Sequence, residues 1–281
     1  MNAPLALHAR LLVIDTHIDI PWPDRADAFG PSERRVDFAK MRAGGVRGGC
    51  FAAYVPQGPR TAAGEAAAFE RAKAMLGAIN AMTGSRNGIA ARVTHSVAEI
   101  EAAAAEGVIA VVPAVENGYA IGDDLGRLDT LADLGARYLT LTHNGHNALA
   151  DAAIPRAELG DQPALHGGLS ALGRAAISRM NELGLLVDIS HAAKTTMLQA
   201  VGASKGPVIA THASVHALCP HPRNLDDEQL DALADCGGVI QITAVPAFLK
   251  PGGKADEVGL TDFADHVDYA VRRIGIAHVG I

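Results

Sequence analysis

The sequence predicts an α/β fold, a single (β/α)8 barrel of the TIM type, on three observations. The chain has 281 residues, 49% of them hydrophobic, enough to build the core of one barrel of about 250 residues. Short apolar runs alternate with longer helix-like stretches over its whole length, the pattern of repeated βα units around a parallel sheet. Polar residues recur where those runs end, at the rim on which such a barrel carries its functional groups.

Eight strands are expected, at Leu11 to Asp15, Val46 to Val55, Val108 to Val115, Arg137 to Leu141, Leu185 to Ile189, Pro207 to Ala210, Gly238 to Ile242 and His278 to Ile281. The clearest helices between them are Gly64 to Met82, Val97 to Ala105, Leu169 to Leu183, Asp226 to Ala234 and Thr261 to Ile274. Asp226 opens its helix with a DDE run, placing negative charge at the positive end of the helix dipole. The longest irregular connection is Asn144 to Gly168, and long loops in compact domains often cover binding sites. No fixed-period repeat or Pro/Gly linker divides the chain, so residues 1–281 read as one domain.

The formal charge of −7 is spread among interspersed acidic and basic residues, which argues against a nucleic-acid partner. Cys50, Cys219 and Cys236 are far apart, odd in number and without CxxC spacing, so neither a disulfide framework nor a thiolate metal site is expected. The N-terminus lacks a basic segment ahead of a long apolar stretch, and no run reaches membrane-spanning length. A cytoplasmic location is the expectation.

The candidate chemistry lies at the strand ends. The first strand runs into Asp15-Thr-His17-Ile-Asp19, the third into Glu116, the fourth into His143, the fifth into His191 and the sixth into His212. Extended backbone puts His17 and Asp19 on one side, so an imidazole nitrogen and a carboxylate oxygen can reach one ion. Taken singly, each residue has a plainer reading, as a hydrogen-bonded strand end or a solvated carboxylate. Glu116 follows the apolar run VIAVVPAV, where a carboxylate is costly to bury without a cation or donors. Jointly, His17, Asp19, Glu116, His191 and His212 form an all-nitrogen-and-oxygen set suited to zinc, or to manganese, iron or cobalt. A Glu has two oxygens and can bridge two ions, and no Lys ends any of the strands to serve instead. Asp15 and Asp188 flank the ligands, either as acceptors that orient imidazoles or as bonds to backbone groups. The remaining histidines are read as surface or structural.

These residues resemble the membrane dipeptidase (renal dipeptidase) family of the amidohydrolase superfamily. The match runs through VIDTHIDIPW, VENG, YLTLTHN, GLLVDISH, PVIATH, HPRNL, GGVIQI and IGIAHVGI. The resemblance implies a metal-dependent-hydrolase barrel with two zinc ions: His17 and Asp19 on one, His191 and His212 on the other, Glu116 bridging, and a hydroxide between them. It implies that His143 contacts the substrate carbonyl oxygen and that Arg223, in HPRN, binds the free C-terminal carboxylate of a dipeptide. Trp22 and Tyr54 are candidates for the pocket wall, and a homodimer is a fair family expectation. Family members continue after HVGI with a GSDFDG-like segment whose first aspartate moves the proton. This sequence stops at Ile281, in the eighth strand, and is therefore expected to be a fragment lacking the C-terminal part of the family domain. Competing readings are another amidohydrolase-type hydrolase (lactonase, deaminase or amidase), against which Glu116 and Arg223 argue, and a non-catalytic metal-binding protein.

Overall fold

The apolar runs become strands. The computed structural model describes residues 3–24, 26–30 and 32–281. In chain order its strands are β1 (Val13–Asp19), β2 (Val46–Tyr54), β3 (Gly84–Arg86), β4 (Ile89–Val93), β5 (Ile109–Glu116), β6 (Tyr138–Thr140), β7 (Leu186–Asp188), β8 (Val208–Ala213), β9 (Val239–Ile242) and β10 (Val279–Gly280). Eight of them form one path in the order β1-β2-β5-β6-β7-β8-β9-β10, every step of it parallel. β5 shows why the run IAVVPAVE reads as it does: all eight positions are buried, as in a parallel strand covered on both faces. The architecture is that of a (β/α)8 barrel, and one hydrophobic cluster runs through it from Ile18 to Ala270.

All eight expected strands are present, but the first is displaced. Leu11 and Leu12 are exposed, and pairing with β2 begins at Val13 and continues to Asp19. His17 and Asp19 therefore lie within β1. The β3–β4 hairpin was not anticipated. It turns on Asn87 and Gly88, both at positive φ (53° and 71°), the backbone that a tight two-residue hairpin demands. β4 then pairs with the first half of β5, leaving the second half to β6.

The five expected helices are found within two residues of their expected ends. Asp226 caps the helix Asp227–Asp235: its carboxylate accepts from the Gln229 N–H while Gln229 Oε1 accepts from the Asp226 N–H, 3.0 and 3.1 Å. Among the described residues no helix is long and apolar enough to cross a membrane, and the three cysteines are free.

The connection from Asn144 to Gly168 contains one 3-10 turn, Ala157–Leu159, and is organised by two buried carboxylates. Asp161 accepts from the His146 and Arg156 N–H groups, each 2.9 Å, and pairs with Arg60. Asp151 accepts from the N–H groups of Leu165, His166 and Gly168 at 2.9–3.0 Å. Burial raises the Asp151 pKa, but those backbone donors outweigh it and hold the group below its usual 3.8. A depressed carboxyl adds stability that is present above its unfolded pKa and lost as pH falls through the folded one. Asp151→Ala is accordingly expected to destabilise by about 3 kcal/mol near pH 7, since bonds to charged groups contribute about 1.5–3 kcal/mol each. Chemical denaturation at neutral pH and below pH 3.8 checks it: the gap to the unsubstituted chain should narrow in acid.

Candidate metal centre

The ligand candidates all stand at the rim where the parallel strands end, and several sit where regular geometry breaks. The β1–β2 register shifts between Asp15 and Ile18, bracketing His17. The β8–β9 register shifts between Ala210 and Ala213, bracketing His212. His191, three residues past β7, has φ 66°, a left-handed conformation that is strained for a residue with a side chain. Such irregularities re-aim side chains and gather at functional sites. Glu116 is the last residue of β5. The turn after it is fixed by Asn117, whose side chain accepts from Tyr119 N–H and donates to Val55 O. Gly118 follows because a Cβ there would stand 2.7 Å from Leu141 O.

Four imidazoles converge on the buried Glu116 carboxylate. Its Oε2 lies 3.6 Å from His17 Nε2. Its Oε1 lies 3.1 Å from His191 Nε2, 3.5 Å from His212 Nε2 and 3.9 Å from His143 Nε2. Asp19 Oδ1 stands 3.7 Å from His17 Nε2 on the outer side. By mutual proximity within 4.8 Å two groups form, His17–Glu116–His212 and Glu116–His143–His191. His212 stands between them, its ring 3.9 Å from that of His17 and 5.0 Å from that of His191.

The far side of each ring decides its tautomer. Tyr138 donates its hydroxyl to Thr16 O at 3.1 Å, so its oxygen accepts from His17 Nδ1 at 2.9 Å. Asn144 Oδ1 accepts from His191 Nδ1 at 3.0 Å. Thr211 Oγ1 gives its proton to Asp188 and accepts from His212 Nδ1 at 2.9 Å. With each Nδ1 held by an acceptor, Nε2 is the ring nitrogen that faces Glu116 and would coordinate an ion there.

Charge accumulates accordingly. Burial lowers the His17 pKa, but Glu116 and Asp19 more than reverse it and push the ring up to about 10. Burial, with the neighbouring His17 charge, pushes His212 down to about 4. Burial, then Arg223, holds His191 well below its usual range, and burial lowers His143 against the pull of Glu116. Glu116 stays ionised far below the usual carboxylate range: burial opposes this, and the bonds and charge from His17, His191 and His212 overcome it. One carboxylate thus holds positive charge on His17, while burial keeps His143, His191 and His212 neutral.

A divalent metal fits this donor set. Two ligand atoms about 2.0–2.1 Å from one tetrahedral ion sit roughly 3.3 Å apart, and the spacings around Glu116 run from 3.1 to 3.9 Å. The ligands are nitrogen and oxygen only, since among the described residues no cysteine joins either group.

Arg223 is buried, 3% exposed. Its Nη2 donates to His212 O at 3.2 Å and its guanidinium stands 5.4 Å from the Phe248 ring centre, while its Nε has no hydrogen-bond partner. Burial brings its pKa down to about 10, Glu116 and Asp188 pulling the other way.

A profile of the membrane dipeptidase family, peptidase family M19, matches residues 1–281. The chain belongs to this family. Dipeptidase verJ of Clonostachys rogersoniana is 33% identical over 299 residues, covering all of this chain and 74% of verJ. Dipeptidase aclJ of Aspergillus oryzae is 37% identical over 175 residues, 62% of this chain but only 40% of aclJ. A solved metallopeptidase of Rhodobacter sphaeroides, liganded with a phosphinate mimic of the dipeptide L-Ala-D-Ala, superposes with a TM-score of 0.81 at 27% identity, covering 96% of this chain and 85% of that one. The barrel is thus that of a family of metallo-dipeptidases, and in this chain it carries a histidine–glutamate cluster able to hold metal.

Within this membrane dipeptidase fold, His17, Asp19, Glu116, His143, His191 and His212 come together at one rim. The Arg223 guanidinium borders the same site through its bond to His212 O. Tyr54 brings its ring 4.7 Å from that of His143, whereas Trp22 packs against the hydrophobic core. Asp15 bonds the His17 N–H, not an imidazole, at 2.9 Å. His146 and His266 are structural: each accepts a backbone N–H on Nδ1, from Ala152 and Val215, and donates to a carbonyl through Nε2. Sequence reasoning missed Tyr138, Asn144 and Thr211, which set the ring tautomers. Asn144 and Thr211 adjoin ligand-type histidines, and that adjacency was the one available signal.

Proposed function

We propose that the chain is a binuclear zinc dipeptidase in which His17, Asp19 and Glu116 Oε2 hold one ion and Glu116 Oε1, His191 and His212 hold the other. The observation that carries this reading is the division of the Glu116 carboxylate. One oxygen faces His17 at 3.6 Å, and the other faces His191 and His212 at 3.1 and 3.5 Å. Each oxygen of the carboxylate thus faces imidazole nitrogen of its own, which gives each side the donors for a separate ion.

Such ions supply hydroxide near neutral pH and Lewis acidity toward a carbonyl. The chain supplies the rest. His143, kept neutral by burial and 22% exposed at its side chain, is free to donate through a ring N–H to the substrate carbonyl oxygen as negative charge grows there. Arg223 is planar and charged at neutral pH, and its unpartnered Nε together with its terminal nitrogens offers a fork to the C-terminal carboxylate. Holding that carboxylate fixes the scissile bond relative to Glu116 and its ligand set.

The test is zinc content after equilibration with buffered free zinc, together with calorimetric binding of the phosphinate mimic of L-Ala-D-Ala and hydrolysis of L-Ala-L-Ala and L-Ala-D-Ala. Two ions per chain and metal-dependent binding of the mimic are expected. A chain that takes up no zinc and ignores the mimic sinks the reading. Chelation should also lower the thermal midpoint, because each ion present at 100 times its Kd stabilises the native state by about 2.7 kcal/mol.

A further inference from the structure

Asp188, at the end of β7, is fully buried and has no salt-bridge partner among the described residues. Its stability there comes from neutral donors on three consecutive strand ends. Thr140 Oγ1 of β6 donates at 2.6 Å and the Ser190 N–H at 3.1 Å. From β8, the Thr211 N–H and Oγ1 donate at 3.0 and 2.8 Å. A buried carboxylate is tolerated when its oxygens are satisfied in this way.

The network continues into the site. Thr211 has one hydroxyl proton, and Asp188 takes it, so the Thr211 lone pair is presented to His212 Nδ1 at 2.9 Å. That contact requires hydrogen on Nδ1 and turns Nε2 toward Glu116 Oε1. The Ser190 N–H bond anchors the turn in which His191 adopts its φ of 66°, and Ser190 Oγ accepts the His212 N–H at 3.0 Å. By contrast, His17 is oriented by Tyr138, whose hydroxyl bonds Thr16 O and not Asp188.

We propose that Asp188, acting through Thr211 and Ser190, is the positioning residue for His191 and His212, and that it sets the affinity of the ion on the Oε1 side of Glu116 without governing the other. This rests on the binuclear reading above. The physical reason is that an imidazole whose Nδ1–H is held toward a carboxylate-backed acceptor is locked in tautomer and made more basic, and loss of such support typically weakens metal binding by about 10–100-fold.

The experiment is zinc binding against a graded chelator series, comparing the unsubstituted chain with Thr211→Val, Thr211→Ser, Asp188→Asn and the Asp188→Asn/Thr211→Val double variant, with thermal midpoints of the zinc-free proteins as the folding control. Thr211→Val keeps the shape and the backbone bond and removes only the relay. It should retain one ion at unchanged affinity and bind the second about 10–100-fold more weakly. Thr211→Ser should restore both ions, which a purely steric role for the side chain would not allow. The double variant should be no weaker than Asp188→Asn alone, because both changes cut one path. Unchanged binding of both ions in Thr211→Val, or equal weakening of both, overturns the proposal. An unsubstituted chain that binds no zinc overturns the binuclear reading itself, and the two failures are told apart by that control.

Discussion

Glu116→Gln should leave the chain with at most one tightly held ion and cut dipeptide hydrolysis by at least about 10³-fold. Glutamine keeps the shape but presents one oxygen and one NH2 group. Whichever way the amide turns, either His17 on one side or His191 and His212 on the other meets a donor where a coordinating oxygen stood. The ion on that side loses a ligand and gains a repelling N–H. Lewis-acid polarisation by a metal is worth several kcal/mol, and at about 1.4 kcal/mol per tenfold in rate this corresponds to three decades or more. Metal analysis and kcat/KM on the same preparation check it together. Two tightly bound ions in Glu116→Gln would mean that the carboxylate does not bridge.

The parts of this site that were legible in the sequence share one physical cause. Parallel strands buried on both faces are written as unbroken apolar runs, so a polar residue at the end of IAVVPAV or LLV or PVIAT marks a rim position. Glu116, His191 and His212 could be read because that rule is strong. The hairpin β3–β4 could not be read from the same rule, because Gly84–Arg86 is entirely exposed and carries no apolar signal. Its Asn87-Gly88 turn was the available clue. The ring partners were hidden for a different reason. Tyr138 meets His17 across 121 residues and Asn144 meets His191 across 47, contacts created by barrel curvature and not by any local spacing. The division of Glu116 between its two faces is likewise a property of strand-end geometry, since sequence supplies the residue types but not which oxygen each imidazole meets. The offset of β1 belongs here too: Leu11 and Leu12 look like strand but remain exposed, because the sheet takes its register from β2 and not from the local apolar run.

Arg223→Met should raise KM and lower kcat/KM for dipeptides while leaving two ions in place. The guanidinium is buried and fixed by one bond to His212 O and by the Phe248 ring, with Nε unused, and no carboxylate pairs with it among the described residues. A buried cation without an anion is costly unless something completes it, and a dipeptide carboxylate would supply the missing partner. Truncating one member of a buried, hydrogen-bonded charge pair typically costs 2–5 kcal/mol, or roughly 30- to 4000-fold at 1.4 kcal/mol per tenfold. Methionine fills much of the volume, so the loss reads recognition and not collapse of the core. Arg223→Lys should recover part of the loss, since it restores charge but not the planar fork. The decisive comparison uses a dipeptide and its C-terminal amide. The unsubstituted chain should prefer the free acid strongly, and Arg223→Met should handle acid and amide nearly alike. If the variant retains the full preference for the free acid, the carboxylate is held elsewhere and Arg223 serves the fold of the β8 turn instead.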